Sequence, residues 1–126
     1  MFKIDGTNIL LTRGDECTIT LKVNREGSEE YAFNVGDVIT FAVYNKKEFN
    51  KEPLLLKEVT VQEPTNIVDI FLESNETKIG MMGNKPIIYW YEIQLNHSQT
   101  IVGYDNKGPK ILTLYPEGGN IEWIQN

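Results

Sequence analysis

The sequence predicts an all-β fold: an antiparallel, immunoglobulin-like β-sandwich of eight or nine strands with one short helical turn. Three observations lead there. Apolar residues recur at every second position in four separate segments, which turns one face of each towards a core and the other towards solvent. Clusters of Gly, Pro, Asn and Asp interrupt those segments at short intervals, as turns do. None of the five prolines stands in the middle of an apolar segment, where its missing N–H would break a ladder.

The elements follow in chain order. Residues 8–12 (NILLT) form the first expected strand, after the turn pair Asp5-Gly6. Residues 17–23 alternate strictly, with Cys17, Ile19, Leu21 and Val23 set against Thr18, Thr20 and Lys22, so this strand is half-buried. A brief strand is expected at 31–33. After Gly36-Asp37, the residues Ile39, Phe41 and Val43 form a second inward row, although Val38, Ala42 and Tyr44 make the other face fairly apolar too. Residues 54–61 come next, then Val68, Ile70 and Leu72 with Asp69 opposite.

Residues 74–82 (SNETKIGMM) read as the helical turn, with Ser74 or Asn75 capping its start and Gly80 or Gly83 ending it. The longest strand, 87–95 (IIYWYEIQL), sets Ile87, Tyr89, Tyr91, Ile93 and Leu95 on one face and Ile88, Trp90, Glu92 and Gln94 on the other. Strands at 100–104 and 110–115 close the series. The expected core joins Ile19, Leu21, Phe41, Val43, Ile70, Leu72, Tyr91 and Ile93.

At 126 residues, without a linker or repeat, the chain is expected to form a single domain, 1–126. The net charge of −6 repels nucleic-acid phosphates, and the twelve Lys and Arg residues form no basic stripe, so no nucleic-acid partner is expected. No apolar stretch approaches the roughly eighteen residues of a membrane helix, so no membrane partner is expected either. The opening Met-Phe-Lys-Ile-Asp has no apolar signal core, and synthesis in a cytoplasm is expected. Cys17 is the single cysteine and has no partner for an internal disulfide, so stability must come from the core.

Catalytic and metal chemistry find little support in these residues. His97 is the single histidine and falls in a polar turn, while Cys17 lies on the expected core face of its strand, so neither supplies an activated nucleophile. Structural zinc needs about four Cys or His ligands. Acidic residues gather at Glu26, Glu29 and Glu30 and at Asp105-Asn106, but without the spacing of a calcium loop. Gly118-Gly119 lacks the rest of a phosphate-binding motif. No enzyme activity, metal or cofactor is expected.

Aromatic residues are the better lead. Tyr89, Trp90 and Tyr91 are consecutive, so Trp90 projects from the face opposite the other two. Tyr104, Tyr115 and Trp123 add to the C-terminal third, and Trp123 follows a Gly-Gly turn. Trp90, Trp123 and Tyr115 are the candidate partner contacts. The tripeptide Arg13-Gly14-Asp15 matches an integrin-recognition motif, yet the strand signal resumes at once after it, leaving little loop. It reads as a structural turn, with Asp15 expected to accept from a backbone N–H just beyond it.

The start "DGTNILLTRGDECTITLKV", the segment "FNVGDVITFAVYNK", the aromatic strand "YWYEIQL" and the exit "LYPEGGNIEW" resemble the N-terminal β-sandwich domain of phage baseplate upper proteins. They also resemble related small prophage tail proteins of Firmicutes. In that family an arginine with a Gly-Asp turn opens the domain, and a second Gly-Asp, here Gly36-Asp37, precedes a strand. The resemblance implies a virion structural protein, made in the host bacterial cytoplasm, that works by docking to other tail or baseplate proteins or to itself. The alternative is a carbohydrate-binding β-sandwich, which requires an exposed aromatic platform with polar neighbours.

Overall fold

The computed structural model describes residues 1–24, 30–45 and 51–118, and among them it holds nine β-strands and no helix. The strands are β1 (Phe2–Asp5), β2 (Asn8–Thr12), β3 (Cys17–Leu21), β4 (Val38–Tyr44), β5 (Leu55–Thr60), β6 (Val68–Leu72), β7 (Ile87–Leu95), β8 (Gln99–Val102) and β9 (Lys110–Tyr115). Seven of them form one sheet in the order β1-β2-β9-β7-β4-β5, with β8 paired to the second half of β7. β3 and β6 form a separate two-stranded sheet.

One apolar core serves both sheets. The large sheet contributes Ile9, Leu11, Phe41, Val43, Tyr91, Ile93, Leu112 and Leu114, and the small sheet contributes Cys17, Ile19, Leu21, Ile70 and Leu72. All eight core residues expected from the alternation are in it. The reason is the two-residue period: in β3 and β6 the buried and exposed positions alternate without a fault, and in β7 Tyr89, Tyr91, Ile93 and Leu95 are all buried.

Three expectations need correction. The fold is mixed and not purely antiparallel, because β2 and β9 run parallel, with Ile9 beside Leu112 and Leu11 beside Leu114. Alternation reports which face a residue takes, but it carries no information about the direction of the neighbouring strand. The segment 74–82 holds no helix. It makes a single turn, with Glu76 N–H and Thr77 N–H both donating to the Glu73 carbonyl (2.9 and 3.2 Å). Its next polar groups are taken by Arg13, Gly14 and Asp15. Residues 31–33 make only an isolated bridge, Phe33 to Thr65. Conversely, β1 stands outside the expected set: Phe2-Lys3-Ile4-Asp5 does alternate, but over only four residues that are largely exposed. A two-residue Gly6-Thr7 loop folds it onto β2, with Asp5 opposite Asn8.

Phe41 is fully buried at the centre of the core and packs against Tyr91 with ring centroids 5.6 Å apart. Phe41→Ala is expected to cost about 3–5 kcal/mol, through a cavity as well as lost transfer energy. The urea unfolding midpoint measures this, and a midpoint that stayed put would contradict the inward placement of β4.

Candidate functional site

Three places concentrate polar or aromatic side chains. The first is the corner after β2. Gly14 adopts φ +88°, a conformation that side chains resist. Its N–H donates to Thr77 Oγ1 (3.0 Å), and its carbonyl accepts from Ser74 Oγ (2.6 Å). Thr77 is fully buried, and its hydroxyl also lies 2.9 Å from the Asp15 carbonyl and 3.1 Å from that of Ser74. One proton serves these two acceptors in turn. Arg13 donates from Nε to the Ile79 carbonyl (3.2 Å), from Nη2 to the Lys78 carbonyl (3.3 Å) and from Nη1 to Glu117 Oε2 (3.0 Å). Its side chain is only 13% exposed, so the guanidinium is committed within the chain. Asp15 departs from expectation: its carboxylate takes the Met1 ammonium, and no backbone N–H beyond it.

The second place is the Gly36-Asp37 turn. Gly36 has φ +91° and donates to the Val61 carbonyl (2.9 Å). The Asp37 carboxylate accepts from Asn34 N–H (2.9 Å), from Asn96 Nδ2 (3.1 Å) and from the Tyr31 hydroxyl (3.4 Å). The bond from Asn34 is the main cause holding the Asp37 carboxyl below its ordinary value, with Asn96 second and Tyr31 adding. Asn96 is itself held by Val38, accepting its N–H at Oδ1 (2.8 Å) and donating to its carbonyl (2.8 Å). Both Gly-Asp pairs are therefore joints between segments distant in the chain.

The third place is the outer face of the large sheet. β4, β7 and β9 present Tyr44, Trp90 and Ile111 in register across it, and Ile88 and Leu56 stand out to solvent nearby. Trp90 is half-buried and meets Tyr104 edge-to-face, with centroids 6.0 Å apart and planes at 71°. Beside it, Glu92 Oε1 accepts from the Tyr44 hydroxyl (3.2 Å) and from Gln94 Nε2 (3.1 Å). Tyr115 shares this face but lies four residues beyond Ile111, about 13 Å along β9 at strand rise. It lines a small hollow with Arg13, Met81, Met82 and Pro116. Trp123 lies outside the described residues, as do Glu26, Glu29 and Gly119.

Reactive groups stay dispersed. Burial, helped by Asp15, pushes the Cys17 thiol up to about 11, so it is a core side chain and not a thiolate. His97 sits with φ +55° in the β7–β8 turn, with Nε2 2.7 Å from Glu58 Oε1. Among the described residues, no three His, Cys, Asp or Glu side chains converge to hold a metal ion. Glu30 binds Lys22 (2.6 Å) and Asn66 (3.1 Å), and Asp105 binds Lys110 (2.7 Å). Alternation does not reveal Thr77 or Ser74, since their role depends on a corner some sixty residues away. The aromatic signal of Tyr104 is visible in the sequence, but its contact with Trp90 is not.

Gly14→Ala is expected to lower stability by about 1–3 kcal/mol through backbone strain. The new Cβ would also lie 3.0 Å from Glu117 Oε1 and 3.3 Å from Lys78 Cε. Thr77→Val keeps the volume but strands the Gly14 N–H, and is expected to cost about 1–3 kcal/mol, whereas Thr77→Ser recovers most of it. Urea unfolding of the three variants checks both; an unperturbed Thr77→Val would mean that the corner is held by packing alone.

Comparison with known protein families, with curated proteins and with solved structures finds no match to this chain.

Proposed function

We propose that this chain is a structural module of a phage or prophage tail, acting by protein–protein docking and not by catalysis. In this reading the two sheets are the facing layers of an immunoglobulin-like sandwich, since side chains of both line one core. The protein is made in the bacterial cytoplasm and becomes part of the virion, where it contacts baseplate or other tail proteins. The resemblance of its two Gly-Asp turns and its aromatic strand to baseplate proteins motivates the assignment.

The observation that carries docking over sugar binding is the arrangement of Trp90 and Tyr104. Sugar rings stack on flat, coplanar aromatic platforms set in a groove. Here the rings stand at 71° to each other on the outer face of a sheet, beside the exposed Ile88 and Leu56. An apolar patch with a half-buried tryptophan and a polar rim is the anatomy of a protein contact. The net charge of −6 keeps the free chain soluble while that patch drives association.

Carbohydrate binding is the second reading, favoured by Glu92, Gln94 and Tyr44, which set hydrogen-bonding groups beside Trp90. Trp90→Ala is expected to weaken capture of neighbouring tail proteins by about 2 kcal/mol, roughly thirtyfold, with folding preserved. Co-purification with those proteins and a glycan array run in parallel decide the matter. Tight binding to one glycan, without any protein partner, would replace docking with sugar recognition.

A further inference from the structure

β1 ends the large sheet. β2 covers one of its edges, and among the described residues no strand pairs with the other. Register decides which backbone groups face that open edge. Thr12 N–H donates to the Met1 carbonyl (2.9 Å), and bonded pairs recur at every second residue of an antiparallel ladder. Lys3 and Asp5 therefore spend their N–H and C=O groups on β2, opposite Leu10 and Asn8. Phe2 and Ile4 turn theirs outward. The side chains obey the same alternation. Ile4 lies opposite the buried Ile9 on the core-facing row yet is 43% exposed, while Lys3 and Asp5 leave the other face. No ion pair within the described residues engages Lys3 or Asp5.

We propose that this edge is a self-association site, where a second copy of the chain pairs antiparallel with β1 about a twofold axis at Ile4. Three registers let outward backbone groups meet outward backbone groups. An axis at Phe2 brings Lys3 opposite Met1 of the partner subunit, with no charge pairing. An axis at Lys3 sets like charges against each other. An axis at Ile4 sets Lys3 opposite the partner's Asp5 and Asp5 opposite the partner's Lys3. Those two contacts fall on non-hydrogen-bonded positions, where side chains come closest and charge complementarity counts most. The same axis brings the two exposed Ile4 side chains together, extending the apolar floor of one sheet into the next. The contact is isologous and closes as a dimer, so it does not propagate into a fibre. It does not use the Trp90 face.

The test is sedimentation velocity on the full chain over a range of concentrations, with circular dichroism confirming the fold of each variant. The wild-type chain is expected to dimerise. Lys3→Asp and Asp5→Lys should each raise the dissociation constant at least tenfold, and the double reversal should return it close to wild type. Ile4→Pro should give a folded monomer, because the lost N–H points outward and makes no bond inside the subunit. Trp90→Ala should dimerise normally while losing tail-protein capture, so this inference and the docking reading stand or fall separately. A wild-type chain that stays monomeric at millimolar concentration, a dimer that survives Ile4→Pro, or a double reversal as weak as the single ones would overturn the proposal.

Discussion

The chain passes between its two sheets four times, at β2–β3, β3–β4, β5–β6 and β6–β7, and each passage carries backbone polar groups away from the ladders. Such groups need partners wherever water is excluded. The passages supply them to each other in pairs. The β2–β3 corner is bonded to the β6–β7 segment through Arg13, Gly14 and Asp15 on one side and Ser74, Thr77, Lys78 and Ile79 on the other. The β3–β4 segment is bonded to the β5–β6 segment, with Phe33 and Thr65 exchanging backbone bonds (2.8 and 3.2 Å) and Gly36 donating to Val61. A sheet of only two strands has little cooperative stability of its own. Here both its strands enter and leave through tied joints, and its inner face completes the core of the larger sheet.

β7 is the other organiser. It pairs with β4 along one edge and with β9 and then β8 along the other. Its inward side chains anchor the core, and the Tyr91 hydroxyl reaches past it to donate to the Thr7 carbonyl in the β1–β2 turn. Burial raises that hydroxyl to about 12, so it remains a proton donor at any ordinary pH. A single strand thus connects the hydrophobic interior, the first hairpin and, through Trp90, the outer aromatic face. The outer side chains of β7, Trp90 among them, are carried on a strand whose inward residues Tyr89, Tyr91, Ile93 and Leu95 are all buried.

The two proposed contact surfaces differ in kind. The Trp90 face offers apolar area and a hydrogen-bonding rim, which would select a partner by shape. The β1 edge offers backbone groups and one charge of each sign, which would select a partner by register. Edge strands with charged residues normally repel unplanned pairing. An edge whose charges are antisymmetric about one residue favours the register that pairs them and disfavours the one that sets like charges opposite each other.

The sequence by itself determined the all-β class, the inward faces and most strand positions. Strict alternation in 17–21, 68–72 and 87–95 leaves each residue only two faces to choose from, and apolar side chains settle the choice. It also marked Gly14 and Gly36 as turns, because few other residues tolerate the backbone angles found there. Only the tertiary structure decided strand direction, pairing partners and the fate of 74–82. The helical potential of that segment is overridden by Arg13 and Gly14, which claim its hydroxyls and carbonyls from sixty or more residues away. Local periodicity records how a residue is buried; bonds between distant segments depend on where the chain returns, and no local pattern encodes that.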